Sequence, residues 1–235
     1  MPAAVASTDH RTRVAAQRRE RMRKRLIESA MIVFAQKGVG ASVIPDVVAA
    51  AEVSQGSFYN YFSTNEELLA AVGEELSNEM AQLIESVVGE IEDPALRVAT
   101  AIRSYLHLVR SYRVVARFLA GAGLHLGGEK SSVYEYLPPD LKEGQKRGSF
   151  DEMPLDIAVD LVRGIGLVAI HRIANARVAK DYPERIVQAI LRSLGVSTAT
   201  AARLTAIPLP KLSAPPESML AQAQARLEAK TVAAG

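Results

Sequence analysis

The spacing of apolar residues is the feature of this sequence that most restricts its fold. From about residue 18 to residue 194, aliphatic side chains recur at intervals of three and four, and Gly or Pro separates one such stretch from the next. This spacing places the apolar residues on one face of an α-helix, whereas a half-buried strand alternates apolar and polar residues. Little β-branched alternation and no internal repeat are visible. The sequence therefore predicts an all-α fold.

Helix boundaries within this pattern follow from capping residues and helix breakers. Glycine after an apolar stripe ends a helix, proline is tolerated in the first turn, and Ser or Thr before a stripe accepts backbone hydrogen bonds. Gly38, Pro45 and either Ser63 or Thr64 stand at such positions. The predicted helices cover residues 18–38, 45–51, 55–62, 64–87, 94–111, 114–126, 131–146, 155–178 and 184–194.

Two regions depart from the regular helical pattern. Pro138 and Pro139 are expected to break the helix over 131–146, because proline inside a helix removes a backbone N–H and clashes with the preceding turn. Residues 196–235 are rich in Ala, Ser, Thr and Pro and are interpreted as a tail. One helix is predicted there, from Pro216 to Lys230, and its apolar stripe favours docking on the body. A disordered end is the alternative.

Composition excludes several classes of protein. Hydrophobic residues make up 49% of the chain and charged residues 23%, which is a globular mixture. The absence of cysteine removes disulfides, thiolate metal sites and cysteine nucleophiles, and it fits a reducing compartment. No uncharged apolar run approaches the roughly 18 residues that a membrane span needs, and the N-terminus lacks the apolar core of a signal peptide. We expect a cytoplasmic protein with no membrane partner.

No residue pattern indicates catalysis, a metal or a cofactor. The four histidines are isolated in sequence and form no His-Glu-x-x-His motif. The segment from Gly127 to Ser131 lacks the spacing and the preceding strand of a phosphate-binding loop. The sequence predicts neither an enzyme nor a cofactor-binding protein.

Charge is distributed unevenly along the chain. Residues 1–25 hold eight bases and two acids, whereas residues 38–96 carry eleven acids and no base. The formal net charge of +2 conceals this asymmetry. A cationic N-terminal segment on a neutral-to-acidic body indicates a polyanionic partner. The alternative is a solvated charged tail.

The two short helices over residues 45–62 have the pattern of a helix-turn-helix unit. Val47, Val48, Ala51, Phe58 and Phe62 supply a packing face, and polar residues at the start of the second helix are left to face outward. In such a unit the first helix braces the second, which presents its N-terminal side chains to base edges in the major groove. Gln and Asn are suited to reading adenine, and Ser suits either base.

The segment from Ser42 to Leu69 resembles the helix-turn-helix signature of the TetR family of transcriptional regulators. The most specific parts are the Gly-Ser-Phe-Tyr-x-x-Phe core at residues 56–62 and the Glu-Glu-Leu-Leu run at 66–69. The resemblance extends over about residues 18–75 and weakens to general character beyond. It implies an all-helical homodimer that binds a palindromic operator in double-stranded DNA.

The resemblance also implies roles for individual residues. Residues similar to the family's base readers are Gln55, Gly56, Ser57 and Asn60, and those similar to its phosphate contacts are Ser42, Tyr59 and Tyr61. Two usual phosphate anchors are missing, because Val43 replaces a hydroxyl residue and Asn65 replaces Lys. The arginine-rich start, including Arg11, Arg13 and Arg18, is therefore expected to supply the cations that bind DNA. As alternatives, the tyrosines serve only packing, and Gln55 and Asn60 are solvated surface residues.

The C-terminal body is expected to enclose a pocket for a small, mainly apolar ligand, as in the family. The candidate lining residues are Tyr105, Leu106, Val109, Phe118, Leu124, His125, Tyr134, Tyr136, Leu137, Ile165, Val168 and His171. Ordinary core packing is the alternative for most of them. The helices Leu155 to Val178, with Gly164 and Gly166, and Glu184 to Leu194 are expected to form a four-helix dimer interface. The alternative is a wholly intramolecular core.

These expectations divide the chain into four parts and favour one function. Residues 1–17 are interpreted as a flexible basic arm, 18–63 as the DNA-binding domain, 64–195 as the ligand-binding and dimerisation domain, and 196–235 as the tail. The favoured function is a sequence-specific repressor that a small apolar ligand releases from DNA. The alternatives are an architectural DNA-binding protein without an effector and, less favoured, a helical enzyme with a basic tail.

Overall fold

The computed structural model describes residues 3–40, 43–126 and 132–233. Over these ranges the chain forms α-helices and one short 3-10 helix, with no strand, which confirms the predicted all-α class. None of the described helices combines the length and apolar content that a membrane crossing requires. The α-helices are α1 (Ala3–Lys37), α2 (Ile44–Ala50), α3 (Gln55–Tyr59), α4 (Asn65–Val88), α5 (Pro94–Ser111), α6 (Arg113–Ala122), α7 (Ser132–Lys146), α8 (Leu155–Asn175), α9 (Tyr182–Ser193), α10 (Thr198–Ala206) and α11 (Met219–Ala233).

The first helix is longer than the sequence pattern predicted. It begins at Ala3 and therefore includes most of the segment interpreted as a flexible arm, because no Gly or Pro interrupts the chain from Ala3 to Lys37. Its second half, from Leu26 to Phe34, is buried. Gly38, with a φ of 85°, ends the helix as predicted. One continuous helix thus joins the exposed cationic stretch from Arg13 to Arg21 to a buried apolar stretch.

The N-terminal head consists of the second half of α1, which packs against α2 and α4, and of α3, which packs against α2. Val47 and Phe58 are fully buried and anchor the two short helices in the hydrophobic core. Thr64 caps α4, because its Oγ1 accepts a hydrogen bond from the backbone N–H of Glu67 at 3.1 Å. The Glu67 carboxylate accepts in turn from the backbone N–H of Ser63 at 2.7 Å. This reciprocal cap places the start of α4 directly after the short helices.

The body is built around α5, which packs against α4, α6, α7, α8, α9 and α10. Asp93 caps α5 by accepting from the backbone N–H groups of Ala95 and Leu96. The second half of α1 also packs against α6, where the rings of Phe34 and Phe118 lie 6.2 Å apart between centres. The hydrophobic core is therefore continuous from the head into the body.

The expected break at Pro138 and Pro139 is wrong, because α7 runs through both residues. The helix is held by its inward face: Leu141 is fully buried, and Asp140 pairs with Arg97 of α5. These contacts outweigh the hydrogen bonds that the two prolines cannot donate.

Several predicted helix ends also differ from the structure. The helix α3 ends at Tyr59 rather than at residue 62, and α8 ends at Asn175 rather than at residue 178. The helix α6 ends at Ala122, and Gly123, with a φ of 50°, begins a 3-10 turn. The helix α9 starts at Tyr182 because Pro183 occupies its first turn, where no N–H is needed.

The tail contains two helices rather than one. Ser197 caps the unpredicted α10 by accepting from the backbone N–H of Thr200 at 3.2 Å, and α10 packs against α9 and α5. The predicted tail helix begins at Met219 instead of Pro216 and continues to Ala233 as α11. It packs against α1, α6 and α4, so the tail crosses the junction of head and body.

Both apolar packing and hydrogen bonds dock α11. Met219, Leu220 and Ala223 are fully buried. The Glu79 carboxylate of α4 accepts from the backbone N–H groups of Met219 at 2.8 Å and Leu220 at 3.3 Å, which satisfies the start of the helix. Arg226 pairs with Glu28 of α1 at 3.1 Å. The docked arrangement replaces the alternative of a disordered end.

Replacing Leu220 with Ala should lower the free energy of unfolding by about 2–5 kcal/mol, because it leaves a cavity between α11 and the body. Chemical denaturation of the full chain measures this loss. The matched control is Ala225→Ser on the exposed side of the same helix, for which the change should stay within about 0.5 kcal/mol. Equal, small effects of both changes would show that α11 adds nothing to stability.

Candidate nucleic-acid interface and ligand cavity

A sharp turn between α2 and α3 sets the start of α3. Glu52 has a φ of 51°, in the left-handed region that residues other than glycine rarely adopt. Its carboxylate lies 3.0 Å from Nη2 of Arg25 on α1. Ser54 then caps α3, since its Oγ accepts from the backbone N–H of Ser57 at 3.1 Å. The two short helices thus follow each other across a tight turn, as a helix-turn-helix unit requires.

Buried aromatic rings hold α3 and leave its other face open. Phe58 and Phe62 are buried, whereas Tyr59 is 49% exposed. The exposed or half-buried positions on the open face are Gln55, Gly56, Ser57, Tyr59 and Asn60. Amide and hydroxyl groups at the start of such a helix can read base edges in a major groove. The structure therefore brings together the predicted base readers and one predicted phosphate contact.

Two arginines of α1 lie beside the aromatic residues that directly follow α3. The guanidinium carbon of Arg19 lies 6.0 Å from the ring centre of Tyr61, and that of Arg23 lies 5.9 Å from the ring centre of Phe62. Such cation–π contacts restrain long side chains without neutralising their charge. Two cations are therefore held close to the C-terminal end of α3.

Arg19 and Arg23 were not among the predicted phosphate contacts. Their spacing of four residues on α1, together with the aromatic residues that follow α3, is the signal that could have found them. Of the predicted cations, Arg13 and Arg18 are exposed on α1, and the side chain of Arg11 lies outside the described residues.

The positions that lack the usual phosphate anchors are turned inward. The Asn65 Nδ2 atom donates to the carbonyl oxygen of Val39 at 3.2 Å, which ties the start of α4 to the chain after α1. Val43 is fully buried and provides no side-chain cap for α2. Ser42, a predicted phosphate contact, lies outside the described residues. Since residues 38–96 contain no base, the cations among the described residues of the head are those of α1.

A cavity of about 360 Å³ lies in the body between α4, α5, α6, α7 and α8. Its wall is mainly aliphatic. Representative apolar lining residues are Leu76, Met80, Ile84, Leu106, Leu119 and Ile170. An apolar cleft or cavity with a few polar groups is the usual form of a small-molecule site.

One charged cluster joins three of the helices around this cavity. Arg97 of α5 donates from Nε to both carboxylate oxygens of Asp140 on α7, at 3.0 and 3.1 Å. Its Nη2 donates to both oxygens of Glu85 on α4, at 3.1 and 2.9 Å, and its Nη1 donates to the carbonyl oxygen of Val88 at 2.6 Å. Burial raises the pKa of Asp140, and the charge of Arg97 opposes that rise. The cluster links the positions of α4, α5 and α7.

Further polar side chains line the cavity. Among them are Tyr105 of α5 and Asp160 and Arg163 of α8. Burial raises the pKa of Tyr105 to about 12, so its hydroxyl keeps its proton at neutral pH and can donate a hydrogen bond. The cavity can therefore bind a molecule that is largely apolar and carries a few polar atoms.

Comparison with known proteins identifies the family of this chain. The model described as "Bacterial regulatory proteins, tetR family" matches residues 26–72. The crystal structure of RolR in complex with the ligand resorcinol is 32% identical, covers 84% of this chain and 100% of that chain, and has a TM-score of 0.65. The chain belongs to the TetR family.

Curated relatives agree with this assignment over shorter stretches. The transcriptional repressor DhaR of Mycobacterium sp. (strain GP1) is 34% identical over 76 residues, 32% of this chain and 38% of that protein. The repressor Rv3405c of Mycobacterium tuberculosis (strain ATCC 25618 / H37Rv) is 31% identical over 101 residues, 43% of this chain and 48% of that protein. The chain thus spans less than two thirds of the length of these relatives. All are regulators, which agrees with the prediction that the chain is not an enzyme.

The cavity of this TetR family member matches the predicted ligand site only in part. Four of the candidate residues line it, namely Tyr105, Leu106, Tyr136 and Leu137. Val109 and Phe118 lie in the core instead, where their helices pack on one another. The side chains of Leu124 and Tyr134 lie outside the described residues.

The remaining candidates lie on α8 or beside α6 and do not line the cavity. His125, Val168 and His171 are exposed, and Ile165 is half-buried. The wall of α8 is formed by other residues, among them Asp160, Arg163, Gly166, Leu167 and Ile170. Helical spacing showed that α8 is apolar but did not show which of its faces points inward.

Replacing Gln55 or Asn60 with Ala should weaken binding to the preferred DNA site by about 1–3 kcal/mol per change, because each removes hydrogen bonds to a base edge. Binding to random DNA should change little, since phosphate contacts persist. Titration of labelled duplexes at fixed salt measures both affinities. Gln36→Ala, at an exposed glutamine near the end of α1, is the matched control. Equal losses of affinity for preferred and random DNA would show that Gln55 and Asn60 contact the DNA backbone rather than base edges.

Proposed function

We propose that this protein is a homodimeric, sequence-specific DNA-binding repressor that a small, largely apolar molecule releases from DNA. The observation that supports this most is that one helix, α4, follows the exposed α3 in the chain and also lines the cavity of the body. Residues 18–63 serve as the DNA-binding domain and residues 64–195 as the domain for ligand and dimer. A protein with this task works on DNA in the cytoplasm.

DNA affinity in this proposal comes from α1 and sequence preference from α3. Lys and Arg that neutralise phosphates release counterions, which supplies most non-specific affinity. Arg13, Arg18, Arg19 and Arg23 provide such charges along one helix beside α3. Because residues 38–96 contain no base, the cations of the head all lie on α1.

The dimer is supported by an uncovered apolar face on α8. Val168 is 63% exposed and Ile157 is 49% exposed, and Gly164 lies between them on the same helix. Apolar side chains beside a small residue allow two helices to approach closely. Two copies related by a two-fold axis would present two α3 helices to successive major grooves of a palindromic site. A second copy packed on this face would bury the exposed apolar side chains and would also supply the second α3 helix.

Replacing Val168 with Glu should turn the dimer into a monomer. A carboxylate buried without a partner costs several kcal/mol, so the dissociation constant should rise by more than about 100-fold. Sedimentation velocity at micromolar concentration measures the change. Ile207→Glu, which adds the same charge at an exposed aliphatic position outside α8, should leave the dimer intact. A wild-type monomer would contradict the proposal directly.

The ligand that fits the cavity best is a single-ring aromatic molecule with hydroxyl groups. About 360 Å³ is near the lower end of the roughly 300–1,000 Å³ that small-molecule pockets occupy. The aliphatic wall suits a ring, and Tyr105, Asp160 and Arg163 supply polar partners for hydroxyls. RolR, which is 32% identical, was crystallised with resorcinol, a ligand of this kind.

Release from DNA follows from the helices that surround the ligand. The helix α4 lines the cavity with Leu76 and Met80, is tied to α5 and α7 by the Arg97 cluster, and is tied to the head by Asn65. A ligand that prefers a shifted position of α4 would therefore favour a different placement of the head. In a dimer, this placement decides whether both α3 helices match successive grooves.

A panel of single-ring phenols tests the proposed effector. Resorcinol, catechol, hydroquinone and phenol should lower the affinity for the selected DNA site by differing amounts, with toluene as the apolar control. The variant Ala101→Phe fills part of the cavity with a ring, so it should bind DNA but lose the response. Fluorescence anisotropy measures both affinities.

The outcomes of this panel separate the proposal from its alternative. If no compound changes DNA binding and calorimetry detects no phenol binding, the proposed ligand class is wrong. An architectural DNA-binding protein would in addition bind DNA without a preferred palindromic site.

A further inference from the structure

A second cavity, of about 320 Å³, lies on the opposite side of α5 from the first. It is bounded by α5, by the start of α9 and by the extended segment at residues 209–212 that follows α10. The residues of α5 that line it include Arg103, Ser104 and His107, whereas Ala101 and Tyr105 of the same helix line the first cavity. The two cavities are therefore separate and lie on different faces of one helix.

The second cavity differs from the first in its chemistry. Besides three apolar residues and Pro210, its wall carries the side chains of Arg103, Ser104, His107, Ser111, Glu184 and Lys211. Two of these residues are permanent cations and one is an acid. The wall is therefore suited to a polar ligand rather than to the apolar ligand of the first cavity.

The central residue of this wall is a buried arginine with an unused donor. The Arg103 side chain is only 6% exposed. Its Nη1 donates to the carbonyl oxygen of Ile207 at 2.8 Å, and its Nη2 approaches Oε1 of Glu184 at 3.4 Å. Its Nε is buried and has no hydrogen-bond partner among the described residues. A buried polar group left unpaired is costly, and an unseen water or ligand is a common explanation.

Glu184 supplies the complementary unused acceptor. Its Oε1 lies 2.8 Å from Nε2 of His107, while its Oε2 is buried without a partner among the described residues. Burial raises the pKa of Glu184, but the hydrogen bond from His107 and the charge of Arg103 outweigh this and leave the pKa below its usual value. Glu184 is therefore an ionised acceptor beside the unpaired donor of Arg103.

We propose that this second cavity binds a small oxyanion that carries its own O–H group, such as a hydrogen phosphate or a hydroxycarboxylate. The anionic oxygens accept from Arg103 Nε and the Lys211 ammonium, and the O–H donates to Glu184 Oε2. A fully ionised oxyanion without a hydrogen leaves Glu184 Oε2 facing a negative charge. The site therefore prefers oxyanions that carry an O–H group, whereas a cluster of arginines alone would bind any oxyanion.

Occupancy of this site has a structural consequence for the tail. The carbonyl of Ile207 and the side chain of Lys211 belong to the segment that leads from α10 towards α11. An anion held between Arg103 and Lys211 therefore ties this segment to α5. The site binds independently of DNA and of the ligand in the first cavity, so its test does not depend on the function proposed above.

Inorganic phosphate and sulfate are the probes that test the proposal, because at neutral pH phosphate carries an O–H and sulfate does not. Phosphate and sulfate also bind to the exposed arginines of α1, so the measurement has to report on the second cavity alone. The ring C–H signals of His107 in NMR spectra of the full chain provide it, and they are assigned with His107→Gln. Phosphate should shift these signals in a saturable manner, and sulfate should do so at least about tenfold more weakly.

Two variants and one control complete the test. Lys211→Ala removes an exposed cation of the site and should weaken phosphate binding at His107 by about tenfold. Lys142→Ala, an exposed lysine of α7, should have no effect. Arg103→Lys keeps the charge but removes the Nε donor to the anionic oxygens, and it should weaken the binding of phosphate and sulfate alike. Circular dichroism verifies that each variant is folded.

Three results would overturn the proposal. The first is the absence of a saturable shift at His107 with millimolar phosphate. The second is equal binding of phosphate and sulfate, which would mean that Glu184 Oε2 does not read the O–H. The third is unchanged phosphate binding in folded Lys211→Ala, which would place the anion elsewhere. Glycolate carries an O–H group and acetate does not, so this pair tests the same preference among carboxylates. Comparing glycolate with phosphate shows whether the site binds a hydroxycarboxylate or a hydrogen phosphate more tightly.

Discussion

The packing of the buried half of α1 is the constraint on which the rest of the structure depends. This half of the helix contacts α2 and α4 on the side of the head and α6 and α11 on the side of the body, with Phe34 against Phe118 at the junction. Because well-packed cores shift between discrete arrangements rather than deform smoothly, the head cannot move independently of the body. A change around the cavity therefore has a direct physical route to α3, through α4 and α1.

The helix α1 also supplies the positive charge that α2, α3 and α4 lack, since residues 38–96 contain no base. Asn65 and Val43 stand where resemblance leads one to expect phosphate anchors, and both face inward. The exposed half of α1 carries the missing charges, and Arg19 and Arg23 are held beside α3 by aromatic rings. In the proposed function, the buried half of α1 serves folding and its exposed cations serve DNA affinity.

The sequence predicted the fold well where local signals were strong. Pro45 located the start of α2, either Ser63 or Thr64 located the start of α4, and the helix-turn-helix unit followed from its own spacing. Tertiary contacts decided the rest. Burial of Leu141 and the Arg97–Asp140 pair carry α7 through two prolines, and no local pattern reveals the left-handed Glu52. The ligand site was predicted only in part, because helical periodicity does not show which apolar face of α8 lines a cavity and which stays uncovered.

The measurement that tests the central claim most directly is selection of genomic DNA fragments by the purified full-length protein, followed by sequencing of the bound fragments. The account predicts strong enrichment of a few fragments that share a two-fold symmetric site, with half-sites about one helical turn apart. Enrichment should survive competition by excess random DNA. Recovery of fragments without a common site, or of an asymmetric one, would contradict a dimer that reads DNA through two copies of α3.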